Sequence, residues 1–186
     1  MTHRPTHRQF FERVQLEARD AIWRRLAKVI PHHVCADGLH TWLMFAVDAG
    51  LHRKEVVQVS RTAWRENATA QSVTNRFAGL GLAPPGHYLA AVRAAHLGYL
   101  IQRGITVNEI AQAADTNAKN IYALLKRHGT TTDRIRRESS PLWLAEVAVV
   151  PLLHKVPLLA WQLSALRRRR LRAATPATRH SRSGRA

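Results

Sequence analysis

The stretch ITVNEIAQAADTNAKNIYALLKRH, residues 105–128, divides into two short helices around a tight turn. Thr106 or Asn108 can cap the first helix, whose apolar positions are Val107, Ile110, Ala111 and Ala114. Asp115, Thr116 and Asn117 form a turn cluster that can also cap the second helix. That helix carries Ile121, Leu124 and Leu125 on one side at helical spacing, which turns Lys119, Asn120, Tyr122, Ala123 and Lys126 outward. A small residue, Ala111, where two short helices cross, with polar side chains projecting from the second, is the pattern of a helix-turn-helix. Its second helix is built to enter a DNA major groove. The plain alternative is a helical hairpin inside some other all-α domain. Asp115 stands where such a turn usually has glycine, and aspartate tolerates the left-handed conformation better than most other residues.

Composition favours the sharper reading. The 186 residues carry 29 basic and 12 acidic side chains, a formal charge of +17. A surplus that large points to nucleic acid, or less often to an anionic membrane surface. Arg greatly outnumbers Lys, which suits bidentate contact with phosphate and guanine and is also what a GC-rich coding sequence produces. The single cysteine, Cys35, precludes a disulfide within the chain and a cysteine-based zinc site, and a reducing, cytoplasmic setting is the expectation. The first residues lack an apolar signal core. His32 and His33 are adjacent rather than four apart and no HExxH occurs, so no metal site and no cofactor is expected. Many of the eleven histidines would widen the positive field at mildly acidic pH. No nucleophile elbow or phosphate loop is present, and an enzyme is not expected.

Working outward, residues 1–6 read as a loose arm. From about residue 7 to 30 a helical face runs through Phe10, Phe11, Val14, Leu16, Ile22, Trp23, Leu26 and Ile30 until Pro31 stops it. Core packing is the reading for this face, with a dimer surface as the alternative. A very apolar helix over 36–49 ends at Gly50, and a short helix over 51–59 carries His52, Arg53 and Lys54. Residues 59–77, VSRTAWRENATAQSVTNRF, form a second helical pair. Ala63 takes the place of Ala111, Thr69 is the N-cap, Val73 and Phe77 point inward, and Gln71, Thr74 and Asn75 point out. The two pairs are a degenerate repeat of 48 residues, with Thr62 and Glu66 where apolar residues would be expected. A glycine break, the corner Pro84-Pro85-Gly86 and a long helix over 88–103 join them. That helix is apolar at Leu89, Val92, Ala95, His96, Tyr99 and Leu100. A last short helix over 134–138 contains RIRRE.

The succession of a helical pair, a Pro-Pro corner with YLAAVRAAHLGYL, ITVNEIAQAA, a turn, IYALLKRHG and TTTDRIRR resembles the DNA-binding domain of AraC/XylS-type transcription regulators. The likeness covers about residues 34–137. It implies an all-α fold with two helix-turn-helix units joined by a long helix, here with extra N- and C-terminal helices. It also implies that the base-reading positions fall on Lys119, Tyr122 and Ala123. Asp115, Thr116, Thr62 and Glu66 depart from the family pattern. Most members carry a separate effector-binding or dimerisation domain, for which this chain has no β-rich stretch.

Four regions are expected: a helical extension over 1–33, the double helix-turn-helix over 34–138, an apolar helical tail over 139–171 and a basic, disordered-looking end over 172–186. Residues 142–166 have the length of a membrane span. Glu146, His154, Lys155, Pro151 and Pro157 interrupt them, so packed amphipathic helices are preferred to a span. The arginine run after them suits non-specific phosphate contact.

The expected function is a sequence-specific, DNA-binding transcription regulator with double-stranded DNA as partner. RNA polymerase and a second copy of the chain stay open as further partners. The alternative is a basic membrane-associated protein anchored by 142–166. Base contacts fall to Asn117, Lys119, Asn120, Tyr122, Ala123 and Lys126 in the second pair, and to Gln71, Thr74 and Asn75 in the first. Phosphate contacts fall to Arg103, Lys126, Arg127, Arg134, Arg136 and Arg137.

Overall fold

The computed structural model describes residues 6–29, 38–51 and 55–138, together with Ala145, Ala148, Val149 and Leu152. The described residues are helical, with no strand among them. The helices are α1 (His7–Val29), α2 (Leu39–Ala49), α3 (Val56–Trp64), α4 (Ala70–Gly79), α5 (Pro85–Gln102), α6 (Val107–Ala113), α7 (Ala118–Arg127) and α8 (Thr132–Arg137).

The central element is α5, which contacts each of the other seven described helices. It begins at Pro85, three residues before the expected start. Proline is at ease at the first helical position, where its missing N–H has no intrahelical partner to lose. The proline pair is therefore the start of the helix as well as the corner before it. The sequence predicts one apolar side. Instead almost every position from Tyr88 to Ile101 is buried. Ala91, Ala94, Ala95 and Gly98 keep the helix slim, so that neighbours reach it from several directions. A helix apolar all round belongs in a core.

Around it, α1 buries Phe11, Val14, Ala18, Ile22 and Leu26, spaced by three or four residues. Leu16 is off that line and 54% exposed, so its assignment to the apolar face is corrected. The buried α1 residues lie in the chain's own core. Among the described residues all the buried apolar side chains belong to one cluster, α1 included. The expected stop at Pro31, and His52, Arg53 and Lys54, lie outside the described residues. So do Cys35, the arginine run and most of 142–166. The short helix expected over 51–59 is corrected: Leu51 is in a turn, and α3 starts at Val56 behind a capping box between Glu55 and Gln58.

Four helix ends share one geometry. After α4, α5, α6 and α7 the chain turns through a left-handed residue, Gly81, Gly104, Asp115 and Gly129 respectively. The next amide then donates back to the third helical carbonyl from the end, as from Thr116 N to Ala111 O at 2.9 Å and from Thr130 N to Leu125 O at 3.1 Å. Three of the four positions are glycine, which pays no steric penalty there. Asp115 makes the same turn at φ +47°.

Ala145, Ala148 and Val149 are buried in the common core, and Leu152 packs against it. These are the i, i+3, i+4 and i+7 positions of one helical face. The Leu152 carbonyl accepts the Tyr88 hydroxyl at 2.8 Å. Among the described residues no helix is long and apolar enough to cross a membrane.

Candidate nucleic-acid interface

The second helical pair is built by its caps. Thr106, not Asn108, caps α6: its hydroxyl accepts the Glu109 amide at 3.3 Å, while the Glu109 carboxylate accepts the Thr106 amide at 2.7 Å. At the start of α7 the Asn117 side chain accepts the Asn120 amide at 2.8 Å. The Asn120 side chain in turn donates to the Thr116 hydroxyl at 3.2 Å. Asn117 and Asn120, both expected to face DNA, are thus exposed but committed in part to shaping the turn.

Ile121 and Leu125 bury the inner side of α7, with Leu124 half-buried beside them. Lys119, Tyr122, Ala123 and Lys126 are exposed, as expected. Tyr122 is 52% exposed, so its ring edge and hydroxyl are open to solvent. The side chains of Lys119, Tyr122 and Lys126 have no hydrogen-bond or ion-pair partner among the described residues.

Beyond α7 comes a basic rim. Arg134, Arg136 and Arg137 project from α8, which is pinned to the core by Ile135. They take part in local interactions, among them Arg134 with the Gly129 carbonyl at 3.3 Å and Glu138 at 3.5 Å, Arg136 with Asp133 at 3.7 Å, and Arg137 with the Asp133 carbonyl at 3.2 Å. Exposed pairs of this kind are weak and easily exchanged for a phosphate. Gln102 at the end of α5 donates to the Glu138 carbonyl.

Arg103 has a different setting from the one expected. Its guanidinium donates to the Tyr99 hydroxyl at 2.8 Å, lies 5.2 Å from the centre of the Tyr99 ring and reaches Glu17 of α1 at 3.5 Å. It ties α1 to α5. Nothing in the local spacing of the second pair signals this, because the partner Glu17 is far away in the chain.

In the first pair, Thr69 caps α4 as expected, with Ser72 closing the box. Val73 and Phe77 are buried; Gln71, Thr74 and Asn75 are exposed. Gln71 donates to Asn75 at 2.8 Å and Thr74 to the Ala70 carbonyl at 2.9 Å. Helices α4 and α7 lie 48 residues apart at both their first and last residues. The turns before them differ, since the left-handed residue is Arg65 in one and Asp115 in the other. Thr62 and Glu66 face solvent, so their polarity matches their positions.

Two histidines fall outside the expected positive field. Burial pushes His96 down to about 4, against a smaller opposing effect of its hydrogen bond to Val47. Burial, then Arg127 and His87, hold His128 below its ordinary value. Among the described residues no cluster of His, Cys, Asp and Glu could hold a metal ion.

Comparison with family models, with curated proteins and with solved structures yields no match.

Proposed function

We propose that this chain is a sequence-specific, DNA-binding transcription regulator that inserts α7 into a major groove. One observation carries the reading: α7 presents Lys119, Tyr122, Ala123 and Lys126 outward, without side-chain partners among the described residues, on a helix whose inner side is locked by Ile121 and Leu125. A short helix held this way behind a tight turn has the shape a recognition helix needs. The charge of +17 supplies the long-range attraction. The resemblance to AraC/XylS-type domains belongs to the same proposal and is supported by the order of the helices.

Within this reading Lys119 donates to guanine O6 and N7, Ala123 lies against a thymine methyl, and Tyr122 offers an aromatic edge and a hydroxyl. Lys126, Arg127, Arg134, Arg136 and Arg137 neutralise phosphates and set the register. The membrane alternative gains no support, because Ala145, Ala148 and Val149 are buried against the other helices.

The test is binding of the full chain to duplex DNA across a salt series. Neutralisation of five phosphates, one by each of Lys126, Arg127, Arg134, Arg136 and Arg137, gives a log–log slope of about −4.5. A flat response to salt overturns the proposal.

A further inference from the structure

We infer that the two helical pairs grip DNA unequally: α7 alone selects sequence, and the first pair docks on the phosphate backbone through Arg65. This rests on the DNA-binding reading and narrows it, since a repeat of two pairs by itself suggests two readers and a bipartite site.

The cations differ first. Helix α7 carries Lys119, Lys126 and Arg127, all exposed. Helix α4 carries Arg76 alone. Its guanidinium lies 4.1 Å from the centre of the Trp64 ring and 3.0 Å from Glu66. Trp64 in turn donates to the Gly38 carbonyl at 3.4 Å. Arg76 is therefore part of the frame that joins α3, α4 and the start of α2. Moving it to a base edge would give up both a carboxylate and an aromatic face.

The polar side chains differ in the same direction. The groups on α4 that could read a base are paired on their own helix: Gln71 with Asn75, and Thr74 with the Ala70 carbonyl. The Lys119, Tyr122 and Lys126 side chains make no such pairs among the described residues. The inner sides differ too. Phe77 of α4 sits in an aromatic cluster, 5.0 Å from Trp42 and 5.5 Å from Tyr88 between ring centres. The first pair thus anchors the core, whereas α7 is fastened by aliphatic side chains only.

Arg65 is the exception within the first pair. It is exposed in the turn between α3 and α4, at φ +54°. Its side chain has no partner among the described residues. A turn residue of this kind reaches a phosphate more readily than a base edge, because the helices on either side hold it away from the groove floor.

The experiment is selection of bound duplexes from a random library by the full chain, followed by binding measurements on the winning site. The expected motif is one contiguous block, with no second block about one helical turn, 10–10.5 bp, away. The double substitution Gln71→Ala with Asn75→Ala keeps the motif and changes affinity by less than about twofold. Arg65→Ala weakens all sequences alike and lowers the salt slope by about 1. Tyr122→Ala relaxes the preference at a single position within the block. A bipartite motif, or a motif altered by the Gln71 and Asn75 substitutions, overturns this inference and leaves DNA binding standing. A chain that selects no sequence overturns both.

Discussion

Trp42 donates its indole N–H to the Ser60 hydroxyl at 2.8 Å, and both side chains are fully buried. Ser60 in turn donates its hydroxyl to the Val56 carbonyl at 2.8 Å. This two-step relay lets a large amphipathic ring sit in the centre of the core, edge-on to Phe77 and Tyr88. Ser60→Ala strands the indole donor in an apolar surrounding, which costs about 1–3 kcal/mol. Urea unfolding followed by tryptophan fluorescence measures the loss. A midpoint unchanged from wild type would show that the relay has no role in stability.

Asp115 is open to improvement. It occupies the left-handed position that glycine holds at residues 81, 104 and 129, and its exposed side chain gives little in return. Asp115→Gly removes the steric cost of the turn at the expense of some unfolded-chain entropy. The net expectation is a gain of about 0.5–1 kcal/mol. It also removes a negative charge beside α7, so under the proposed function DNA affinity rises with stability. Thermal unfolding and a binding titration read the two effects separately, and a drop in melting temperature would mean that the carboxylate holds the turn.

His96 makes the fold acid-sensitive. Its Nε2 lies 3.1 Å from the Val47 carbonyl, which can only accept, so the neutral ring donates from Nε2. With a pKa near 4 in the fold, against about 6.5 in an unfolded chain, the unfolded state takes up the proton first. The contribution is complete above about pH 6.5 and falls away as pH drops toward 4, amounting to about 3 kcal/mol in all. His128, lowered by burial, acts in the same direction. Denaturant midpoints at pH 7.5 and 4.5 check this. His96→Gln keeps a donor for Val47 without a titrating group, so its midpoint falls less between the two pH values. An equal fall in both proteins would exclude His96 as the source.

The parts of this fold legible in the sequence are those governed by local rules. Thr69, Asn117 and Asp115 could be assigned to caps and turns because a cap is a contact within three residues. The inward Ile121 and the outward Lys119 follow from helical spacing alone. What escaped needs distant partners. Helix α5 reads as a one-faced rod, and only its neighbours on every side explain why Ala91, Leu97 and Ile101 are buried as well. Arg103 reads as a free cation until Glu17 of α1 is placed beside it. Ser60 carries no signal of its own, because its partner Trp42 lies 18 residues away on another helix. At the candidate interface, spacing found the exposed residues of both α4 and α7. It could not show that those of α4 are already paired within their own helix, Gln71 with Asn75 and Thr74 with the Ala70 carbonyl.

Under the proposed DNA-binding function, Lys119 and Arg137 separate base readout from phosphate contact. Among the described residues Lys119, exposed in the first turn of α7, has no side-chain partner, while Arg137, at the end of α8, donates to the Asp133 backbone carbonyl of its own helix. Lys119→Ala removes a base-edge donor, so it costs about 1–3 kcal/mol on the preferred site and little on unrelated DNA. The ratio between the two falls. Arg137→Ala removes one phosphate contact, so it weakens both duplexes by the same factor and reduces the salt slope by about 1. Fluorescence anisotropy with a selected and a scrambled duplex, at three salt concentrations, resolves the pair of outcomes. If both substitutions lower binding to the two duplexes in equal measure, α7 is not in the groove, and the protein holds DNA by charge alone.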